Sequence, residues 1–221
     1  MVTTRYKSSV SRALEPLARW LARRGVSPTA LSLLGLFGSA LVCLLFLRTR
    51  AVIPFCLAIA AVGSLDALDG AVARAGGRAT REGAYLDALC DRYVDVMVVG
   101  SVAIVTGAWA LSLLVLAGAL LVSYAKARAA MEVRVANEEW PDLMERTERA
   151  ILFLGGLLLS RLIAWRPLGH DLFWWTLVAL ALLIHLTVLQ RMVRALRIIR
   201  ERSGLRVEGS GSLPRAPSPE P

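Results

Sequence analysis

Apolar residues in this chain come in long, nearly unbroken blocks rather than in the narrow stripes of a soluble helix. Six blocks stand out, near 30–47, 51–73, 85–106, 109–130, 149–166 and 172–197. A block of about 20 apolar residues, coiled as a helix, matches the roughly 30 Å hydrocarbon thickness of a bilayer. The pattern therefore predicts an all-α integral membrane protein with six transmembrane helices. The second, third and fourth blocks carry polar residues at their ends, so those helices are expected to extend beyond the hydrocarbon. The links between the first two blocks, and between the third and fourth, are very short, which makes each pair an antiparallel hairpin.

Ahead of the first block, Val10, Leu14, Leu17, Ala18 and Leu21 fall on one helical face, with Arg12, Arg19, Arg23 and Arg24 mostly elsewhere. With Trp20 as an interfacial anchor, residues 1–25 are expected to carry an amphipathic helix lying on the membrane surface. Gly25 ends it, and Ser27-Pro28-Thr29 supplies start signals for the next helix. The same N-terminal stretch is basic throughout and lacks an apolar core before a small-residue cleavage site, so it is not expected to be a signal peptide. From Gly204 the run GLRVEGSGSLPRAPSPEP is rich in Gly, Ser and Pro. It predicts a disordered tail over 204–221 behind a single membrane domain over 1–203.

The 221 residues are 56% hydrophobic and carry a formal net charge of +9. That charge does not point to nucleic acid, because Lys and Arg flank the apolar blocks. They gather in the N-terminal segment, the 74–81 loop, the 126–149 region and the stretch after Arg191, whereas Arg48, Arg50 and Arg166 are left for the other side. The asymmetry places both termini in the cytoplasm, with the cations against anionic lipid headgroups of the cell membrane. Cys43, Cys56 and Cys90 lie in apolar segments without metal-ligand spacing, and are expected to be reduced packing residues. His185, deep in the last block, is expected to make an interhelical hydrogen bond.

The chemistry concentrates in SLDALDGAVARAGGRATREGAYLDALCDRY, which reads Asp66-x2-Asp69-Gly70-x2-Ala73-Arg74-x8-Gly83-x3-Asp87-x3-Asp91. An ionisable group inside a bilayer costs roughly 2.5 kcal/mol or more, so such a cluster marks a functional site. Spacings of three and four put each aspartate pair on one face of its helix, one turn apart. Four facing carboxylates repel one another unless cations sit between them, and hard oxygen donors suit Mg²⁺ or Mn²⁺. A glycine at 70 and at 83 lets a ligand or backbone approach closely, and Arg74 can grip a phosphate. A divalent-cation transporter is the rival from another class; it has no need of Arg74 or the glycines.

These residues resemble, position by position, the signature of the CDP-alcohol phosphotransferase family, D-x2-D-G-x2-A-R-x8-G-x3-D-x3-D. The resemblance implies a membrane enzyme, commonly a homodimer, that uses two divalent ions per site (Mg²⁺, or alternatively Mn²⁺). Such enzymes move a substituted phosphate from a CDP-linked donor to an alcohol and release CMP. By the resemblance Asp66, Asp69, Asp87 and Asp91 are metal ligands, and Asp91 is also the general base. The CDP-lipid would meet Thr29, Ala30, Leu31 and Ser32. It would also meet Asp66, Gly70, Ala73, Arg74, Thr80 and Gly83.

The acceptor is addressed by a second basic set on the same side: Lys126 and Arg128, Arg146 and Arg149, and Arg191. A phosphorylated acceptor needs such cations, whereas plain glycerol or serine does not. The runs KAR, ERTER and QR, and the phrase LDALCDRYVD, look like those of the prokaryotic phosphatidylinositol phosphate synthases and their archaetidyl counterparts within that family. The expected reaction is transfer of a phosphatidyl group, or its ether-lipid analogue, from the CDP-linked lipid to 1D-myo-inositol 3-phosphate. The alternatives are glycerol 3-phosphate as acceptor, as in a phosphatidylglycerophosphate synthase, or a CDP-inositol donor, as in di-myo-inositol phosphate phosphate synthesis.

Overall fold

The computed structural model describes residues 15–77, 80–132 and 143–209, and of these the side chains of 66, 67 and 202–209 lie outside the description. The described residues are all-helical, with no strand. Helix α1 covers residues 15–23. It is followed by α2 (Pro28–Thr49), α3 (Val52–Ala75), α4 (Arg81–Thr106), α5 (Trp109–Glu132), α6 (Arg146–Leu162) and α7 (Leu172–Gly209). A short 3₁₀ turn, Pro167–Gly169, precedes α7.

Among the described residues four helices are long and apolar enough to cross a bilayer: α2, α3, α5 and the Leu172–Glu201 part of α7. The chain is thus a membrane protein. The two other expected spans depart from that composition for separate reasons. The Arg81–Asp95 portion of α4 carries Arg81, Glu82, Asp87, Asp91, Arg92 and Asp95. Helix α6 ends at Leu162 after 17 residues, rather than running to 166. At the far end, α7 continues to Gly209, past the Gly204 at which a tail was expected to begin.

Each hairpin closes with a left-handed residue. Arg50 (φ 53°) caps α2, its N–H reaching the Phe46 carbonyl, and Phe46 stacks on Phe55 of α3 with ring centroids 4.0 Å apart. Gly107 (φ 76°) caps α4, a conformation that glycine adopts without a Cβ penalty. The principal helix contacts form a closed ring: α2 packs on α3, α3 on α6, α6 on α7, α7 on α5, α5 on α4, and α4 back on α2. Residues from all six of these helices line one partly open cavity of about 630 Å³.

Helix α1 packs by Ala18, Leu21 and Ala22 against Leu31 of α2 and Leu68, Ala71 and Val72 of α3. Leu17 is exposed, as is Trp20, the expected interfacial anchor, and the Arg24 guanidinium lies over the Trp20 ring. The three cysteines are buried and free. His185 differs from expectation: its Nδ1 is 2.8 Å from the carbonyl oxygen of Ala181, one turn back in its own helix.

The α5–α7 contact depends on Gly118, where a Cβ would stand 2.5 Å from Ile184 Cγ2 and 3.0 Å from His185 Cε1. Small residues let membrane helices approach this closely. Gly118→Ala is expected to destabilise the bundle by about 1–3 kcal/mol, the usual cost of overpacking a tight contact. A lower melting temperature in detergent is the measurement; an unchanged one removes Gly118 from that role.

Candidate active site

The site is built where α3 ends and α4 begins. Helix α3 continues through Asp66, Asp69, Gly70, Ala73 and Arg74 to Ala75, and Gly77 (φ +60°) turns the chain back. Thr80 is the N-cap of α4, its Oγ1 accepting the Gly83 N–H at 3.0 Å. Asp69 is buried, 5% exposed, and Ser32 of α2 donates to its Oδ2 at 2.6 Å. A Cβ on Gly83 would stand 3.0 Å from Thr80 Oγ1 and 3.9 Å from Thr29 Oγ1. A Cβ on Gly70 would stand 3.4 Å from Nη1 of Arg74, whose guanidinium lies beside that glycine. Residues expected to hold the donor therefore converge from three segments: Thr29 and Ser32 on α2, Asp69, Gly70 and Arg74 on α3, and Thr80 and Gly83 at the start of α4. Leu31 is buried in the α1–α3 packing, Ala30 is exposed, and Ala73 is half-buried.

Facing this group, α4 presents Asp87, Asp91 and Asp95 at four-residue intervals, and all three line the cavity. Oδ1 of Asp87 is fully buried. Among the described residues no three of His, Cys, Asp and Glu form a ready-made metal-binding group; the side chain of Asp66, the fourth carboxylate, lies outside the description. The donor chemistry nevertheless fits a divalent ion. It is all oxygen, partly desolvated and strongly anionic, which favours a hard cation.

The basic side comes from the start of α6. Nη1 of Arg146 is 2.7 Å from Asp91 Oδ1, and its Nε is 3.6 Å from Asp95 Oδ1. Arg149 is 8% exposed and donates to the Met144 carbonyl at 3.2 Å; both arginines line the cavity. The segment is fixed by the Glu145 N–H, which donates to Glu148 Oε2 at 2.9 Å. The Leu143 N–H, in turn, reaches Gln190 Oε1 of α7 at 3.1 Å. Arg191, 6% exposed, donates to the Val122 carbonyl of α5.

Not every expected acceptor residue joins this group. Arg128 pairs along its own helix with Glu132 at 2.5 Å, half exposed, and Lys126 is half-buried on α5. Neither lines the cavity, and nor does Arg191. The residue that sequence reasoning missed is Arg92. Its Nη1 is 2.9 Å from Asp95 Oδ2 and 2.8 Å from Ser123 Oγ of α5. Its place one residue after Asp91 and three before Asp95 was the available signal. The link between α5 and α6, residues 133–142, with Glu138, Glu139 and Trp140 in its sequence, lies outside the described residues.

Comparison with known proteins agrees with this geometry. The CDP-alcohol phosphatidyltransferase family model matches residues 26–189. The phosphatidylinositol phosphate synthase of Mycobacteroides abscessus is 35% identical over 193 residues, covering 84% of each chain. The archaetidylinositol phosphate synthase of Pyrococcus horikoshii is 32% identical over 153 residues, covering 67% of this chain and 78% of its own. Among solved structures, the Mycobacterium tuberculosis phosphatidylinositol phosphate synthase with CDP-DAG bound superposes with a TM-score of 0.71 at 28% identity. That match covers 83% of this chain and 94% of the other. The same enzyme in complex with manganese and citrate gives 0.69 at 29% identity, over 82% and 88% of the two chains. With the aspartate signature complete and the family model spanning most of its length, this chain is an enzyme of the CDP-alcohol phosphatidyltransferase family.

Proposed function

We propose that the enzyme transfers the phosphatidyl group of CDP-diacylglycerol to 1D-myo-inositol 3-phosphate, giving phosphatidylinositol phosphate and CMP. The observation that carries this reading is the cavity itself, where Asp87 and Asp91 share one lining with Arg146 and Arg149. Carboxylates suit the diphosphate end of such a reaction, and buried arginines suit a phosphorylated acceptor. That bacterial and archaeal relatives are phosphatidylinositol phosphate and archaetidylinositol phosphate synthases supports the same acceptor.

The chain's own residues divide the work. Thr29, Ser32, Gly70, Arg74, Thr80 and Gly83 hold the cytidine diphosphate. Arg146 and Arg149 receive the acceptor phosphate, which sets its hydroxyl beside Asp91. A hydroxyl ionises far above pH 7, so attack needs a positioned base, and Asp91 takes that proton as the hydroxyl oxygen bonds to the lipid-bearing phosphorus. The bond from that phosphorus to the bridging oxygen breaks, and CMP leaves with its charge met by Arg74. Two divalent ions, Mg²⁺ or Mn²⁺ on Asp66, Asp69, Asp87 and Asp91, supply Lewis-acid stabilisation of the diphosphate charge; the manganese complex of the tuberculosis enzyme supports this.

In the same reading α4 and α6 complete six crossings, α1 rests at the membrane surface, and both termini face the cytoplasm with the site. The clustering of Arg and Lys at that end supports the orientation, and the family resemblance supports a homodimer. The archaeal relatives favour a second donor, an ether-linked CDP-lipid.

The test is CMP release by purified enzyme with diacyl and ether CDP-lipids against inositol phosphate, glycerol 3-phosphate, inositol and serine. Release is expected only with inositol phosphate, lost on chelation and restored by Mg²⁺ or Mn²⁺. Activity confined to glycerol 3-phosphate, or persisting in chelator, overturns the reading.

A further inference from the structure

Beside the proposed base, four charges alternate round a closed ring. Arg146 meets Asp91 Oδ1 at 2.7 Å and Asp95 Oδ1 through Nε at 3.6 Å. Arg92 meets the second oxygen of each, Asp95 Oδ2 at 2.9 Å and Asp91 Oδ2 at 3.7 Å. The Ser123 hydroxyl of α5 ties Arg92 at 2.8 Å. All four side chains are partly screened from solvent, between 20% and 31% exposed. We propose that Asp95 is a positioning residue for acceptor binding: it holds the Arg146 guanidinium where that group meets the acceptor phosphate. The inference rests on the assignment of Arg146 to that phosphate.

Arg146 is the first residue of α6, so its reach into the cavity depends on a long stem with about 2 kcal/mol of rotamer entropy. Arg146 meets two carboxylates on that face, and in the proposed reaction Asp91 is the one committed to the acceptor hydroxyl. Asp95 lies one further turn along α4, on the same face and in the same cavity lining. Its other oxygen is occupied by Arg92, so the carboxylate is itself held still. The simpler possibility is that Asp95 only balances the charge of Arg92, Arg146 and Arg149. The two roles differ in sign. An anion that merely balances charge repels an anionic acceptor, and its removal tightens acceptor binding; loss of an anchor weakens it.

The experiment is steady-state CMP release by the full chain, with inositol phosphate varied, for wild type, Asp95→Asn, Arg146→Ala and the double variant. Asp95→Asn is expected to raise the acceptor KM about fivefold, the loss of one partly screened ion-pair contact, with the CDP-lipid KM unchanged. In the Arg146→Ala background the same change is expected to add less than about twofold, since coupled residues do not act additively. A fallen or unchanged acceptor KM in Asp95→Asn, or full additivity in the double variant, overturns the proposal. Should Arg146→Ala itself leave the acceptor KM unchanged, the assignment of Arg146 fails, and the positioning role with it. A raised KM in Arg146→Ala with none in Asp95→Asn refutes the positioning role alone. If Asp95→Asn yields no folded protein, Ser123→Ala is decisive. Removing one neutral hydroxyl contact should raise the acceptor KM about two- to threefold, and no change there overturns the proposal.

Discussion

Asp91→Asn is expected to lower CMP release by about three orders of magnitude while CDP-lipid affinity stays near that of the wild type. Asparagine keeps the size of the side chain but can neither accept the acceptor's proton nor carry charge, and general-base catalysis alone contributes about 10²–10⁴. Donor binding depends mainly on other groups: the Ser32–Asp69 pair, with its 2.6 Å hydrogen bond, Arg74 beside Gly70, the Thr80 cap, and the proposed metal ligands that remain, Asp66, Asp69 and Asp87. The substitution also removes one end of the Arg146 ion pair, but Asp95 remains within 3.6 Å of that guanidinium. The loss should therefore fall on kcat. Single-turnover CMP release with saturating acceptor, alongside CDP-lipid binding by equilibrium dialysis in detergent, measures both quantities. Retention of a tenth or more of the turnover would mean that another group takes the proton.

The helices were legible because each is written locally. Block lengths and the short links placed α2, α3, α4 and α5 within a few residues of Pro28–Thr49, Val52–Ala75, Arg81–Thr106 and Trp109–Glu132. The aspartate faces were legible for the same reason, since a spacing of three or four fixes a shared face once the helix is given. Which helix meets which is a different kind of information. The contacts that carry Arg146 of α6 to Asp91 of α4, and Arg92 of α4 to Ser123 of α5, join positions 55 and 31 residues apart, and nothing local encodes them.

The basic residues show where local logic helps and where it fails. Arg128 and Glu132 stand four apart, so their pairing could have been foreseen from helix geometry; counting cations at a helix end passed over it. Arg191 offered no such signal. Its guanidinium turns to the Val122 carbonyl of the neighbouring helix, an arrangement set by the α5–α7 packing that Gly118 permits. Charge placement along the chain thus identified the right end of the bundle. It did not separate cations that line the cavity, such as Arg146 and Arg149, from one that braces the wall behind them.

Gly83→Val is expected to raise the CDP-lipid KM by about two orders of magnitude while the acceptor KM and the melting temperature change little. Gly83 is the third residue of α4, and its N–H is the one that Thr80 Oγ1 accepts. A Cβ there would sit 3.0 Å from that oxygen, tighter than ordinary contact, and 3.9 Å from Thr29 Oγ1 on α2. Valine adds two methyl groups to this crowded point, so Thr80 must rotate away and the narrow space between the starts of α2 and α4 fills. The lost cap costs about 1 kcal/mol of helix stability, which a rim position outside both apolar clusters transmits weakly to the rest of the bundle. The functional loss is larger because the filled space is the proposed seat of the cytidine diphosphate, where a misplacement of about 1 Å can cost 10²-fold. Gly70 provides the contrast. A Cβ there meets only the Nη1 tip of Arg74, at 3.4 Å, and a flexible side-chain end gives way easily, so Gly70→Ala should be the milder substitution. An unchanged CDP-lipid KM in Gly83→Val, with a lowered melting temperature, would make this glycine a structural feature of the α4 cap and move the nucleotide elsewhere.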